Sequence, residues 1–256
     1  MKQHDLAARQ FGSTAARYLT SGVHASGGDL DGLADLARRM RPARVLDLGC
    51  GAGHASFAVA RGGALEVVAH DLSPAMLEVV AAEAAARGHP QIVASLGTAE
   101  KLDFADASFD WVVTRFSAHH WLDVNAAIRE AARVLRPAGR LLAIDVIAPE
   151  NPLLDTALQT FELLRDASHV RNYRESEWRA MLASGNFSPP EVRHWKLPLD
   201  FTPWVQRIGT SPARVAALES VFDEFPREVR DYFAVGSGRS FAIDVGWFEA
   251  LRASSD

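Results

Sequence analysis

The sequence predicts an α/β fold, a doubly wound and mostly parallel sheet of seven strands with a helical cap inserted before the last strand. Three observations carry this. Short apolar runs alternate with amphipathic stretches of helical period between residues 30 and 148, glycine or proline punctuates each change, and 256 residues suffice for one core with an added cap. Strands that alternate with helices of ~10–15 residues pair in parallel through right-handed crossovers.

Leu30, Leu33, Leu36, Ala37 and Met40 recur at helical spacing, and Pro42 closes that segment. Residues 44–48 (RVLDL) form a short apolar strand that stops at Gly49, and Ala55 to Ala60 reads as helix until Gly62 and Gly63. A second unit follows. Leu65 to His70 is a strand, Ser73-Pro74 is an N-cap with proline in the first turn, and Met76, Leu77, Val80 and Ala84 make one helix face before Gly88. Gln91 to Leu96 and Phe109 to Phe116 are the third and fourth strands. A helix carrying Val124, Ala127, Ile128, Ala131, Val134 and Leu135 on one side is broken by Pro137-Ala-Gly139, and Gly139 to Ala148 is the fifth strand.

Beyond Pro149 the rhythm changes. Helices are expected over about 151–166 and 175–184, a strand over 191–199, and mostly helix between Phe201 and Ala234, with Thr202-Pro203 and Ser211-Pro212 as start signals. Ser240 to Trp247 is the last strand. One domain is therefore expected: lead-in helices to residue 43, a ligand-binding core over 44–150, and remaining strands with a cap at about 200–235.

Composition narrows the function classes. Apolar residues are 48% and charged residues 23%, and no stretch reaches the ~20 apolar residues that a bilayer span needs. Net charge is −5 without a basic block, so nucleic-acid partners are not expected and small molecules are. The opening MKQHDLAARQFG has no apolar run behind its lysine, and one cysteine, Cys50, makes neither a disulfide nor a cysteine metal cluster, so a cytoplasmic protein is expected.

The strongest local signal is VLDLGCGAG at 45–53. Glycines at 49, 51 and 53 let the chain turn sharply after a strand and approach a ligand at the carboxyl edge of the sheet. A dinucleotide fingerprint needs a third small residue where His54 stands, and Asp47 ahead of the turn suits an ammonium and a sulfonium better than a pyrophosphate. Asp71 closes the second strand, where a carboxylate can accept both ribose hydroxyls; its other reading is a helix cap before Ser73-Pro74. An adenosine-bearing ligand is expected.

These segments, with VVAHDLSPAML, GTAEKLDFADASFDWVVTRFSAHHW and LRPAGRLLAIDVIAPE, resemble the successive motifs of class I S-adenosylmethionine-dependent methyltransferases, and within them the ubiquinone/menaquinone C-methyltransferase-like group. The resemblance covers about residues 44–150 and implies a Rossmann-like fold with S-adenosylmethionine as cofactor. By position, Gly49, Gly51 and Gly53 then line the methionine and ribose end, Asp47 supports the amino-acid moiety and Asp71 the ribose. Leu72 and Met76 flank the adenine, Ala99 and Glu100 sit at its edge, and Arg115 joins the cofactor set. The family commonly has an aspartate where Thr98 stands, so weaker adenine recognition is expected there. Cys50 belongs to the turn and is expected to pack, since transfer from a sulfonium requires no protein nucleophile.

A base is needed only if the acceptor is a phenol, an enol or a carbon activated by one. His119 and His120, leaving the sheet after the fourth strand, are the candidates, with a strand-end or capping role as the other reading; their side chains are expected to diverge, and no metal site is expected. Phe11, Tyr18, Ser21 and His24 resemble a lead-in that folds over the cofactor, with Tyr18 or His24 bordering the acceptor. His169, Arg171 and Trp204 with Arg207 are candidate acceptor contacts, the arginines for an anionic group and the indole for a ring. Arg165, Arg174 and Arg179, alternating with Asp166, Glu175 and Glu177, read as a solvated helix surface. The function expected is methyl transfer to carbon or oxygen of a small, ring-bearing metabolite; an NAD-dependent oxidoreductase and a non-catalytic cofactor-binding protein are the alternatives.

Overall fold

The computed structural model describes residues 2–12 and 27–253. In chain order the elements are α1 (Gln3–Gly12), α2 (Gly28–Met40), β1 (Arg44–Leu48), α3 (His54–Arg61), β2 (Glu66–Asp71), α4 (Pro74–Arg87), β3 (Ile92–Leu96), β4 (Phe109–Arg115), α5 (Val124–Val134) and β5 (Leu135–Ala148). Then come α6 (Pro152–Arg165), β6 (Tyr173–Arg174), α7 (Glu175–Ser184), β7 (Glu191–Leu199), α8 (Phe201–Ile208), α9 (Pro212–Asp223), α10 (Arg227–Tyr232) and β8 (Phe241–Leu251). The sheet runs β3-β2-β1-β4-β5-β8-β7, with the short β6 beside β5. The first five strands are parallel, and β8 pairs antiparallel with both β5 and β7.

Strand order reverses between β1 and β4, so the ends of these two strands open a crevice at the carboxyl edge, where such sheets bind ligands. Side chains cap the entering helices: Asp123 Oδ1 accepts from Ala126 N at 2.9 Å and Asn151 Oδ1 from Leu153 N at 2.9 Å, each worth ~1 kcal/mol. One apolar layer lies under α5 and α7, a second under α2, α3 and α4, and a third between α6 and the inserted helices α8 to α10. Among the described residues no helix is long and apolar enough to cross a membrane.

The α2–α3 contact depends on one glycine. A Cβ on Gly62 would meet the Ala37 methyl and lie 2.5 Å from Ala34 O, in backbone that cannot yield cheaply. Gly62→Ala is expected to lower stability by ~1–3 kcal/mol in urea unfolding, as overpacked sites do; an unchanged midpoint would contradict this packing.

Several boundaries differ from the sequence reading: β2 runs over Glu66–Asp71, one residue later than expected, β3 starts at Ile92, and β4 ends at Arg115, ahead of Phe116. β5 begins at Leu135, ahead of Gly139, because Phe109 pairs with Leu135 and the register then shifts, with Ala138 at φ 58 absorbing the irregularity. β8 runs on to Leu251 because its residues 245–251 pair with β5 as far as Arg140, and α8 starts at Phe201 one residue before Thr202-Pro203. β6 has two residues and no sequence signal.

Candidate active site

The glycine turn after β1 is pinned to β2, since Gly49 N and Cys50 N both donate to His70 O at 2.9 and 3.0 Å. Gly49 has φ 72, and a Cβ there would collide with Ser117 Oγ, so the turn cannot carry a side chain. Gly51, at φ 50, faces open space and donates its N–H to Asp71 Oδ2 at 2.9 Å, while Asp71 Oδ1 accepts from Ser73 N at 2.8 Å. One carboxylate thus ties the glycine turn to the start of α4.

Around this turn lies a cleft of about 940 Å³ counted out to its open mouth, open solvent included. Asp47, Gly49, Cys50, Gly51, Asp71, Leu72, Met76, Ala99, Glu100 and Arg115 all line it. Two expected members do not. Gly53 caps α3 at φ 82, and a Cβ there would press on Val80 and Phe57, so it serves close packing. Thr98 forms an isolated bridge with Lys101, and its carbonyl accepts from His70 Nε2 at 3.4 Å.

Burial pushes Asp47 up to about 6, against the Ser56 hydroxyl and N–H that donate to its Oδ2 at 2.6 and 2.8 Å. Burial likewise raises Asp71, opposed by the N–H groups of Ser73 and Gly51. Burial and the charges of Asp71 and Asp47 hold the Cys50 thiol well above its usual range, so it stays protonated and inert. Glu100 Oε1 accepts from Leu122 N at 2.8 Å, and Arg115 is fixed by Asp29 of α2 at 2.5 Å.

A second cavity, about 560 Å³ counted the same way, adjoins the first. Phe11, Phe116 and His120 line both. Phe116 holds φ 50, rare for an aromatic residue, and its N–H is anchored on Ile144 O at 2.8 Å. This left-handed residue ends β4 and starts a 3-10 turn over Ala118–His120. The strand alternation that would separate His119 from His120 therefore does not apply, and their ring centroids lie 4.2 Å apart, contrary to the expected divergence.

The two imidazoles have different surroundings. His119 Nδ1 lies 2.5 Å from Asp145 Oδ1; burial pulls its pKa down, but the Asp145 charge and hydrogen bond outweigh it and the net direction is up. His120 Nδ1 donates to Ser168 O at 3.2 Å, Phe11 meets its ring edge-on at 4.7 Å, and burial with the neighbouring His119 holds its pKa well below the usual histidine value. Among the described residues no group of three or more His, Cys, Asp or Glu is arranged to hold a metal ion.

Of the acceptor candidates, Trp204 and Arg207 line the second cavity. His169 and Arg171 line neither: His169 Nε2 bonds Gln159 Oε1 at 3.0 Å, and Arg171 is drawn to Asp155 at 3.1 Å and Glu177 at 3.4 Å. Tyr18, Ser21 and His24 fall outside the described residues. The solvated-surface reading of Arg165 and Asp166 is corrected. α6 ends against α8, so these side chains are 11% and 2% exposed, and the Arg165 guanidinium stands 5.0 Å over the Trp204 ring. Arg179 is exposed, as a solvated helix surface requires, and pairs with the half-buried Glu175 one turn away.

Sequence reasoning missed Glu162, Asn172 and Asp145. Glu162 and Asn172 give the second cavity polar groups, burial raising the Glu162 carboxyl. Asp145 had a signal: a lone charge in the run LLAIDVIA at 141–148, on a strand buried from both faces, requires a partner.

A glycine-turn crevice at a strand-order switch, an acid at the end of β2 and an antiparallel last pair of strands define a doubly wound protein with the crevice in which such sheets take nucleotide cofactors. The family described as a methyltransferase domain matches residues 46–143. The chain is 46% identical over 188 residues to the uncharacterized protein YafE of Escherichia coli K12, spanning 73% of this chain and 91% of YafE. It is 37% identical over 225 residues to the uncharacterized methyltransferase YcgJ of Bacillus subtilis 168, spanning 88% of each. The crystal structure of YcgJ superposes with a TM-score of 0.84 at 34% identity, covering 90% of this chain and 100% of that one. Demethylmenaquinone methyltransferase of Mycobacterium marinum is 32% identical over 172 residues, 67% of this chain and 68% of its own. The chain belongs to the class I S-adenosylmethionine-dependent methyltransferases, in the ubiquinone/menaquinone C-methyltransferase-like group.

Proposed function

We propose that the protein transfers the methyl group of S-adenosylmethionine to carbon or oxygen of a small, ring-bearing metabolite held in the second cavity. The carrying observation is that the two cavities share Phe11, Phe116 and His120, so a ligand on the glycine turn and one under the cap meet at that wall. The residues of the first cavity fit the cofactor: Asp71 has lone pairs left for ribose hydroxyls, Asp47 offers a carboxylate to the amino group, and Leu72 and Met76 give an apolar seat for adenine. When bound, the cofactor supplies a methyl group on a cationic sulfur. The chain supplies orientation, worth up to ~7–11 kcal/mol at near-attack geometry, and a water-poor junction.

The second cavity suits a ring, with Val146, Leu197, Leu199, Ile243 and the Trp204 indole as walls, while Arg165 and Arg207 supply positive charge. The relative from Mycobacterium marinum is named for a ring-bearing acceptor, which supports this reading. A lone buried thiol suits a reducing compartment, the cytoplasm. Calorimetric titration of the full chain with S-adenosylhomocysteine is expected to give one site of micromolar affinity. No binding at high micromolar concentration would overturn the proposal.

A further inference from the structure

Each histidine at the junction has its Nδ1 committed, His119 to a carboxylate and His120 to a backbone carbonyl. That difference assigns roles. A carboxylate on Nδ1 fixes the tautomer whose lone pair sits on Nε2, orients the ring and stabilises the imidazolium formed when a proton arrives; a carbonyl oxygen does the first two and the third far less. His119 lines only the second cavity, where the acceptor belongs, and its Nε2 has no hydrogen-bond partner among the described residues. Asp145 is held in turn: its Oδ1 also accepts from Val146 N at 2.8 Å, and its Oδ2 is buried without a partner, so the carboxylate has one mobile proton donor nearby, the imidazole.

We infer that Asp145 is the positioning residue that makes His119, and not His120, the base for methyl transfer, and that the acceptor is therefore an acid at the attacked atom: a phenol, an enol, or a carbon between activating carbonyls. This rests on the methyltransferase reading above. The acceptor's O–H or C–H proton passes to Nε2 of His119, and the electron pair left behind forms the new bond to the methyl carbon. The carbon–sulfur pair stays on sulfur, which leaves as a neutral thioether, so the products are methylated acceptor, S-adenosylhomocysteine and imidazolium. Asn172 adds to the case, since its buried Nδ2 has no partner and the residue lines the same cavity, a donor suited to an oxygen gaining negative charge.

The charged and titratable groups around His119 are Asp145 from β5, Glu162 from α6, Asp166 beyond it, and His120 and His169. Burial lowers its pKa, and the three acids raise it by more. Base function therefore appears as pH rises through a pKa above the ordinary histidine value.

Two measurements on the full chain test this. Imidazole nitrogen resonances are followed by NMR over pH in the wild type and in Asp145→Asn; His119 is expected to titrate above 6.5 in the first and lower in the second. Methyl transfer from labelled cofactor is then assayed on substituted phenols, naphthohydroquinones, 1,3-dicarbonyls and primary amines. Expected are turnover only of acceptors with an acidic proton, a kcat rising through the NMR pKa, and a kcat at least ~100-fold lower in Asp145→Asn with Kd for S-adenosylhomocysteine unchanged. The deficit should shrink for acceptors already ionised at the assay pH, a split that a merely structural role does not give. Wild-type kcat and pH profile in Asp145→Asn, loss of cofactor affinity with kcat, turnover of amines alone, or no turnover by an enzyme that binds S-adenosylhomocysteine would each overturn the inference. Failure of the wild type to bind S-adenosylhomocysteine removes the methyltransferase reading beneath it, and the NMR titration still shows whether Asp145 sets His119.

Discussion

Asp71→Ala is expected to weaken S-adenosylhomocysteine binding by at least about 100-fold, read by calorimetry beside the wild type. Two ribose hydroxyls on one carboxylate are two hydrogen bonds to a charged group, ~1.5–3 kcal/mol each, and ~1.4 kcal/mol is tenfold in affinity. The loss is local as well as direct. Asp71 Oδ2 holds Gly51 N and Oδ1 holds Ser73 N, so alanine also frees the glycine turn from the start of α4. Asp71→Asn separates these effects, because its amide oxygen still accepts one N–H but the group carries no charge, and an intermediate loss is expected. A folded Asp71→Ala protein with wild-type Kd would remove the ribose assignment.

The cavity around the glycine turn was largely legible in the sequence because its residues are local. A strand end, a tight turn and a helix start place Asp47, Gly49, Gly51 and Asp71 within one βαβ unit, where spacing alone fixes geometry. The second cavity was not. Glu162, Arg165, Asn172, Leu197 and Trp204 come from α6, the loop after it, β7 and α8, and only the packing of the cap against β5 and β8 brings them to one wall. Arg165 and Asp166 show why charge alternation misleads: the pattern of a solvated helix end is the same as that of an end buried against another helix, and tertiary packing decides. The histidines show a second limit. Their roles follow from which atom each Nδ1 meets, and the partners Asp145 and Ser168 lie 26 and 48 residues away in sequence.

Phe161→Ala is expected to cost ~3–5 kcal/mol, a large share of the ~5–15 kcal/mol that holds a domain together. Phe161 is fully buried on α6, and the rings of Trp204, Phe222, Phe225, Phe233 and Phe241 surround it at centroid distances of 5.4–6.3 Å. Each of these contacts comes from α8, α9, the segments after α9 and α10, or β8, so one truncation opens the layer that joins the cap to the rest. If residues 44–150 and the cap form one domain, as proposed from the sequence, the weakening is shared. β7 and β8 flank the cap and pair along nine residues, and β8 pairs with β5 in the centre of the sheet, so the cap cannot loosen without straining the strands that hold it. Urea unfolding of Phe161→Ala should then remain a single transition, shifted to lower urea and coincident by far-UV circular dichroism and tryptophan fluorescence. None of these rings lines the first cavity, so in native buffer the Kd for S-adenosylhomocysteine should stay near wild type, while KM for the acceptor rises as Trp204 loses its support. Two separated transitions, with the cofactor site surviving the first, would instead make the cap an independent folding unit laid on the methyltransferase core.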